Sequence, residues 1–315
     1  MRVCRYRYDN DERTGFYFEE GVVPLDAAGG AWAEQQGETA LPADAEPLAL
    51  LAHGAHADAA HALAAWLDAS PEVRSELAFD GDQVALRAPV AAPRKIILLA
   101  GNYASHIEEE GKNALERAET FPYLFSKPPT TVNHPDAPVP IPRVSPDHID
   151  YECELGVVMG KTAKHVGEAD ALDYVAGYTV VNDISDRKYK PFPDRKPRER
   201  DAFFDWLHGK WHDGFFPMGP CVASANTLTP ERLRVTLRVN GETRQDGSTA
   251  QMVFPVPAIV EFVSRSITLE PGDIIATGTP AGVGMASNTF LKPGDTLDAE
   301  IEGIGVLHNV MEAEQ

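Results

Sequence analysis

Asp150-Tyr151-Glu152-Cys153-Glu154-Leu155 runs directly into Gly156-Val157-Val158-Met159-Gly160. The second half is a short apolar run of the kind that fills a buried strand. On a strand, residues i and i+2 share a face, so Glu152 and Glu154 project side by side. Neighbouring carboxylates raise each other's pKa unless a cation lies between them. Oxygen-only ligation of this kind suits a hard divalent ion: Mg²⁺, Mn²⁺ or Ca²⁺. Taken alone, Glu-x-Glu reads more simply as a solvated strand face. The apolar run beside it argues for burial, where unpaired carboxylates are costly. A third carboxylate, Asp183, follows another apolar run in Val180-Val181-Asn182-Asp183-Ile184-Ser185.

Upstream, Lys95-Ile96-Ile97-Leu98-Leu99-Ala100 reads as a buried strand that ends at Gly101. It leads into Asn102-Tyr103-Ala104-Ser105-His106-Ile107-Glu108-Glu109. If residues 104–110 start a helix, His106 and Glu109 lie on one face at i and i+3. A carboxylate that orients an imidazole makes a general base. An exposed histidine on a polar turn is the alternative.

Farther out, residues 3–8, 15–19 and 22–25 read as short strands, the first pair joined as a hairpin by Asp9-Asn10-Asp11. Residues 26–60 are rich in Ala, Gly, Glu and Pro, and one helix is predicted over about 56–69. His53, His56 and His61 lack a carboxylate or cysteine companion, so they read as exposed histidines and not as a metal tract. Ala91-Ala92-Pro93 marks a boundary, with a small α+β domain over 1–92 and the catalytic domain over 93–315. Strands are predicted near 154–159, 178–181, 234–239, 274–277 and 296–301. Strands and long helices do not alternate steadily, so the fold class is β-rich α+β and not a doubly wound parallel sheet.

Composition narrows the function. The 315 residues carry 48 acidic and 28 basic side chains, a formal charge of −20. That argues against nucleic acid and anionic membranes as partners, since both need clustered positive charge. A small anionic substrate remains compatible, because a pocket can be locally positive. Three scattered cysteines make neither a disulfide framework nor a thiolate metal site. No apolar leader or membrane-length run stands out, and a cytoplasmic setting is expected. GxSxG, the GxxxxGK[ST] phosphate loop and HExxH are absent, which counts against serine hydrolases, nucleotide hydrolases and zinc proteases.

The pieces, in their order, resemble the fumarylacetoacetate hydrolase family. The family patterns N-Y-x-x-H-x-x-E, D-Y-E-x-E-L and N-D-[VI]-S-x-R fall on residues 102–109, 150–155 and 182–187. K-x-x-D-x-x-x-P-x-G-P, V-N-G-x-x-x-Q-x-G-x-T and L-x-P-G-D-x-I-x-T-G-T-P fall on 210–220, 239–249 and 269–280. Gly294-Asp295 and Glu302-Gly303-Ile304-Gly305 complete the match, which spans about residues 95–315.

The resemblance implies a mixed β-sheet roll or barrel and a homodimer. It implies a metal, Mg²⁺ first, held by Glu152, Glu154 and Asp183. It implies a His106–Glu109 dyad on a mobile segment that closes over substrate. Lys210 would stabilise negative charge during catalysis, and Arg187, Gln245 and Thr279 would line the substrate pocket. The expected reaction is hydrolysis of a C–C bond in a 2,4-dioxo acid such as an acylpyruvate, through an enolate. The alternative is an isomerase, hydratase or decarboxylase acting on 2-oxo acids of aromatic catabolism or on oxaloacetate-like acids. One departure stands out: residues 188–200 are longer and more basic than the family's short segment. They read either as a solvated loop or as a positive patch that draws an anion.

Overall fold

The computed structural model describes residues 1–315 except Asp82, Glu110, Lys112, Asn113, Ala114 and Glu116. The main sheet runs, edge to edge, through Gly21–Pro24, Asp11–Phe18, Arg2–Tyr8, Phe216–Ser224, Val175–Asn182, Cys153–Met159, Ile274–Ala276, Ile96–Ala100 and Tyr123–Ser126. Its two outer strands are not paired to each other, so the sheet is open; the barrel form of the expected roll is not adopted. Pairing along this path is antiparallel except between Ile274–Ala276 and Ile96–Ala100. A second sheet orders Glu242–Ser248, Arg234–Val239, Thr296–Ile301, Gly305–Ala313 and Pro138–Ile141.

The two faces of the main sheet feed two cores. Cys153, Leu155, Val157 and Met159 pack with Val235, Leu237 and Leu297 of the second sheet and with the helix Val256–Ser266. Val158 and Val181 belong to the other core, with Leu25, Trp32, Leu63 and Leu67 from the N-terminal helices. Glu152 and Glu154 have the parity of Val158, so strand alternation turns them away from the second sheet.

The N-terminal strands join this sheet directly, with Arg2 opposite Ala223 and Val3 opposite Val222. The hairpin expected at residues 9–11 forms on Asp9 and Asn10, whose φ angles of 49° and 70° suit a two-residue turn that follows strand twist. Ala91-Ala92-Pro93 lies in the irregular link between Ala85–Arg87 and Ile96–Ala100. The helix predicted over 56–69 is found as Ala57–Ala69. A further helix, Leu25–Gln36, lies in the stretch expected to hold only that one. Its paired glycines lower intrinsic propensity, but Leu25, Ala28 and Trp32 recur on one face and are buried.

Candidate active site

The metal-ligand candidates meet through strand register. Cys153 pairs with Asn182 and Glu154 with Val181, so the next step of the ladder sets Asp183 opposite Glu152. The Asp183 amide donates to the Glu152 carbonyl at 2.9 Å, which continues the pairing past the strand end. Glu152, Glu154 and Asp183 are buried, and each offers one oxygen within 4.8 Å of the others.

Cations surround two of the three. Lys210 Nζ donates to Glu152 Oε2 at 2.7 Å and to Asp183 Oδ2 at 2.5 Å. Arg187 spans Asp150 Oδ2 at 2.8 Å and Glu152 Oε1 at 2.6 Å. Lys127 ion-pairs with Asp183 Oδ1 at 2.5 Å and donates to the carbonyls of Ile184 and Phe215. Burial alone would raise the Glu152 carboxyl, but Arg187 and Lys210 outweigh it and hold it far below the ordinary range. Burial, opposed by Asp183, brings Lys127 down to about 8.

Glu154 lies in a different field. Burial, with Asp183 and Glu152 adding like charge, pushes its carboxyl well up. Its recorded hydrogen bond comes from the Gly278 amide at 2.7 Å. Gly278 reaches it from a φ of +87°, a conformation glycine adopts readily, and a Cβ there would lie 3.0 Å from the Asn102 Cβ. The donor set fits a hard divalent ion, with three carboxylates converging in a buried site and one raised by its neighbours. Glu152, Glu154 and Asp183 are the residues that would hold it.

The helix expected over 104–110 is found as Ala104–Glu109; Glu110 lies outside the described residues. His106 Nδ1 stands 3.5 Å from Glu109 Oε2, longer than a direct hydrogen bond. Both Glu109 oxygens also accept from the Gly282 amide, at 3.0 and 3.1 Å. His106, Glu152, Glu154, Arg187, Lys210 and Thr279 line one cavity of about 950 Å³. The strand Tyr123–Ser126 and the helix Asp201–His208 form its aromatic side.

The structure does not bring Gln245 to this cavity. It is fully buried, and its amide is used inside the protein. Nε2 donates to Thr279 Oγ1 and the Pro280 carbonyl, while Oε1 accepts from the Cys153 amide. Thr279 lines the cavity, but its hydroxyl donates to the Cys153 carbonyl. Together they brace the strand that carries Glu152 and Glu154.

Sequence reasoning passed over Lys127 and Asp150 as functional residues. Lys127 follows an apolar strand and precedes Pro128-Pro129, with no spacing that ties it to Asp183. Asp150 stands in the quoted motif, and it accepts from the Gly284 and Met285 amides as well as from Arg187. Two arginines of the basic segment 188–200 are engaged by acids of the next helix. Arg195 pairs with Asp201 and Asp205, and Arg198 pairs with Asp201, so these charges anchor the first turns of Asp201–His208.

Comparison with known proteins bears on the fold and the family. The fumarylacetoacetate (FAA) hydrolase C-terminal family model matches residues 95–312. Oxaloacetate tautomerase YisK of Bacillus subtilis is 40% identical over 257 residues, covering 79% of this chain and 81% of that protein. The fumarylacetoacetate hydrolase structure from psychrophilic Exiguobacterium antarcticum superposes with a TM-score of 0.72 at 30% identity, covering 100% of both chains. Maleylpyruvate hydrolase from Sphingobium sp. SYK-6, in complex with manganese(II) and pyruvate, gives a TM-score of 0.71 at 27% identity over 100% of both chains. The cavity lined by His106, Glu152 and Glu154 is thus set in a known framework, and the chain belongs to the fumarylacetoacetate hydrolase family.

Proposed function

We propose that this protein is a divalent-metal-dependent hydrolase of 2,4-dioxo acids, cleaving an acylpyruvate into pyruvate and a carboxylic acid. The observation that carries this is the shared cavity, lined by Glu152, Glu154 and His106, with Asp183 completing the buried carboxylate cluster and Glu109 behind His106. A divalent ion held by Glu152, Glu154 and Asp183 would polarise the 2-oxo group and favour the enolate. His106 takes a proton from water, and the oxygen adds to the distal carbonyl carbon. Glu109, 3.5 Å from Nδ1, holds the imidazole orientation. Collapse of the adduct breaks the C3–C4 bond, its electron pair becomes the pyruvate enolate, and the imidazolium proton returns to C3. Lys210, whose ammonium lines the cavity, stabilises negative charge as it develops.

Mg²⁺ is the ion proposed, with Mn²⁺ or Ca²⁺ as substitutes; a homodimer is the proposed assembly, and sedimentation checks it. Release of pyruvate and free acid from acetylpyruvate, dependent on Mg²⁺, tests the reaction. A second reading is keto–enol tautomerisation of oxaloacetate, favoured by the 40% identity to the Bacillus tautomerase. There His106 would move a proton between C3 and the 2-oxygen without breaking a C–C bond. Faster decay of enol-oxaloacetate absorbance, with no cleavage of any acylpyruvate, would select it.

A further inference from the structure

We propose that the substrate's acyl end is a bulky apolar group, preferably an aromatic ring, and carries no second carboxylate. This rests on the reading that the 2-oxo acid head sits at the carboxylate triad. Three observations point to it. First, the cavity of about 950 Å³ is far larger than a four-carbon acid requires. It lies near the top of the roughly 300–1,000 Å³ that suits drug-sized ligands.

Second, its two sides differ in chemistry. Among the described lining residues the lysines and arginines are Arg187 and Lys210, and both are already paired with Glu152 at the floor. Beside them the lining presents Phe121, Tyr123, Phe125, Phe203 and Trp206. Lys210 Nζ lies 5.1 Å from the Phe125 ring centroid and 5.7 Å from that of Trp206, so the aromatic wall begins where the charged floor ends. Phe121 and Phe203 are 58% and 54% exposed, leaving apolar ring surface that a substrate ring would cover.

Third, the floor's charges suit one carboxylate. With every carboxylate ionised, as around a bound divalent ion, Asp150, Glu152, Glu154 and Asp183 exceed Lys127, Arg187 and Lys210 by a single negative charge. A divalent ion turns that into a single positive charge, which one substrate carboxylate neutralises. A second carboxylate would enter the aromatic side without a further cationic partner among the described lining residues.

Calorimetry on the full chain with Mn²⁺ tests this, using pyruvate, phenylpyruvate and 2-oxoglutarate as probes. Phenylpyruvate is expected to bind about tenfold or more tighter than either, the worth of covering a ring. Phe121→Ala and Phe203→Ala should each shrink that advantage several-fold. Equal or tighter binding of 2-oxoglutarate overturns the proposal. So do variants that dissociate an oligomer in sedimentation yet keep the phenylpyruvate preference, because the wall would then be an interface between copies. If none of the three acids binds, the head-site reading falls and the proposal with it.

Turnover separates the two claims. A phenylpyruvate preference without cleavage of benzoylpyruvate sustains the aromatic wall and refutes the hydrolase reading. Cleavage that favours fumarylpyruvate over benzoylpyruvate sustains the hydrolase and refutes the wall.

Discussion

Glu154 and Asp183 in the carboxylate cluster are 1% and 0% exposed, whereas Phe121 and Phe203 on the cavity lining are 58% and 54% exposed. The floor is built from strands, where register sets each carboxylate and buried cations fix most of them. The wall is built from a short edge strand and from Asp201–His208, a helix tethered by its charged first turns. One region has its partners within the fold; the other presents rings that await one. Truncation at the floor should therefore damage the fold as well as chemistry, while truncation at the wall should alter selectivity alone.

The largest effect is expected at Asp183. Asp183→Ala removes the carboxylate that faces both Lys127 and Lys210. Breaking such a buried pair costs about 3–5 kcal/mol. Urea unfolding should show that loss together with loss of metal-dependent activity. Unchanged stability would mean that the two lysines find other partners and that the floor is less tightly coupled than its distances show. Next comes His106→Ala, which should lower turnover by about 10²–10⁴-fold. Metal affinity by calorimetry should persist, because His106 is not one of the three ligand candidates. Near-normal turnover on a cleaved acylpyruvate would remove the dyad from the chemistry.

The floor was more legible in the sequence than the wall. Glu152 and Glu154 stand two apart beside an apolar run, so strand parity alone places them on one face. Asp183 is legible as a carboxylate at the end of another apolar run, but its meeting with Glu152 needs the ladder between two strands, which no local pattern shows. Lys127 escaped notice because a lysine before Pro-Pro carries no local signature, and its partner lies on a distant strand end. Gln245 was attached to the substrate by its motif, yet its backbone register and buried amide make it a brace. In the basic stretch 188–200 charge alone is legible; that Arg195 and Arg198 pair with Asp201 and Asp205 of Asp201–His208 needs the fold. The aromatic signal for the wall, Phe203-Phe204-Asp205-Trp206, lies just beyond that stretch in Asp201–His208. The helix Leu25–Gln36 escaped because two adjacent glycines hide an apolar spacing that only packing makes decisive.

Glu154 tests the floor with opposite sign. Burial, then Asp183 and Glu152, push its carboxyl up from the ordinary 4.5, so its charged form opposes folding in the absence of a cation. Glu154→Gln keeps an oxygen for the Gly278 amide and removes the charge. The metal-free melting temperature should rise, by about 2–4 °C for each kcal/mol of repulsion removed. The stabilisation that Mn²⁺ gives the parent should disappear. In the parent, metal binding must expel the proton that Glu154 retains, so affinity should climb as pH rises above 4.5. Calorimetry in two buffers of different ionisation enthalpy reads the released proton. A lower metal-free melting temperature for Glu154→Gln would show that the floor is balanced without an ion.

The smallest change is expected at the wall. Phe203 is 54% exposed, with ring contacts to Phe204 and Trp206 of its own helix. Phe203→Ala leaves the ion pairs of Arg195 with Asp201 and Asp205 in place. Its stability should therefore stay within about 0.5 kcal/mol of the parent, as for surface substitutions away from caps, cores and buried charges. Urea unfolding checks this against Asp183→Ala on the same axis. A loss approaching that of the buried pair would mean that Phe203 fastens the helix to the molecule. The two sides of the cavity would then both be structural, and ring exposure would no longer mark the side that meets substrate.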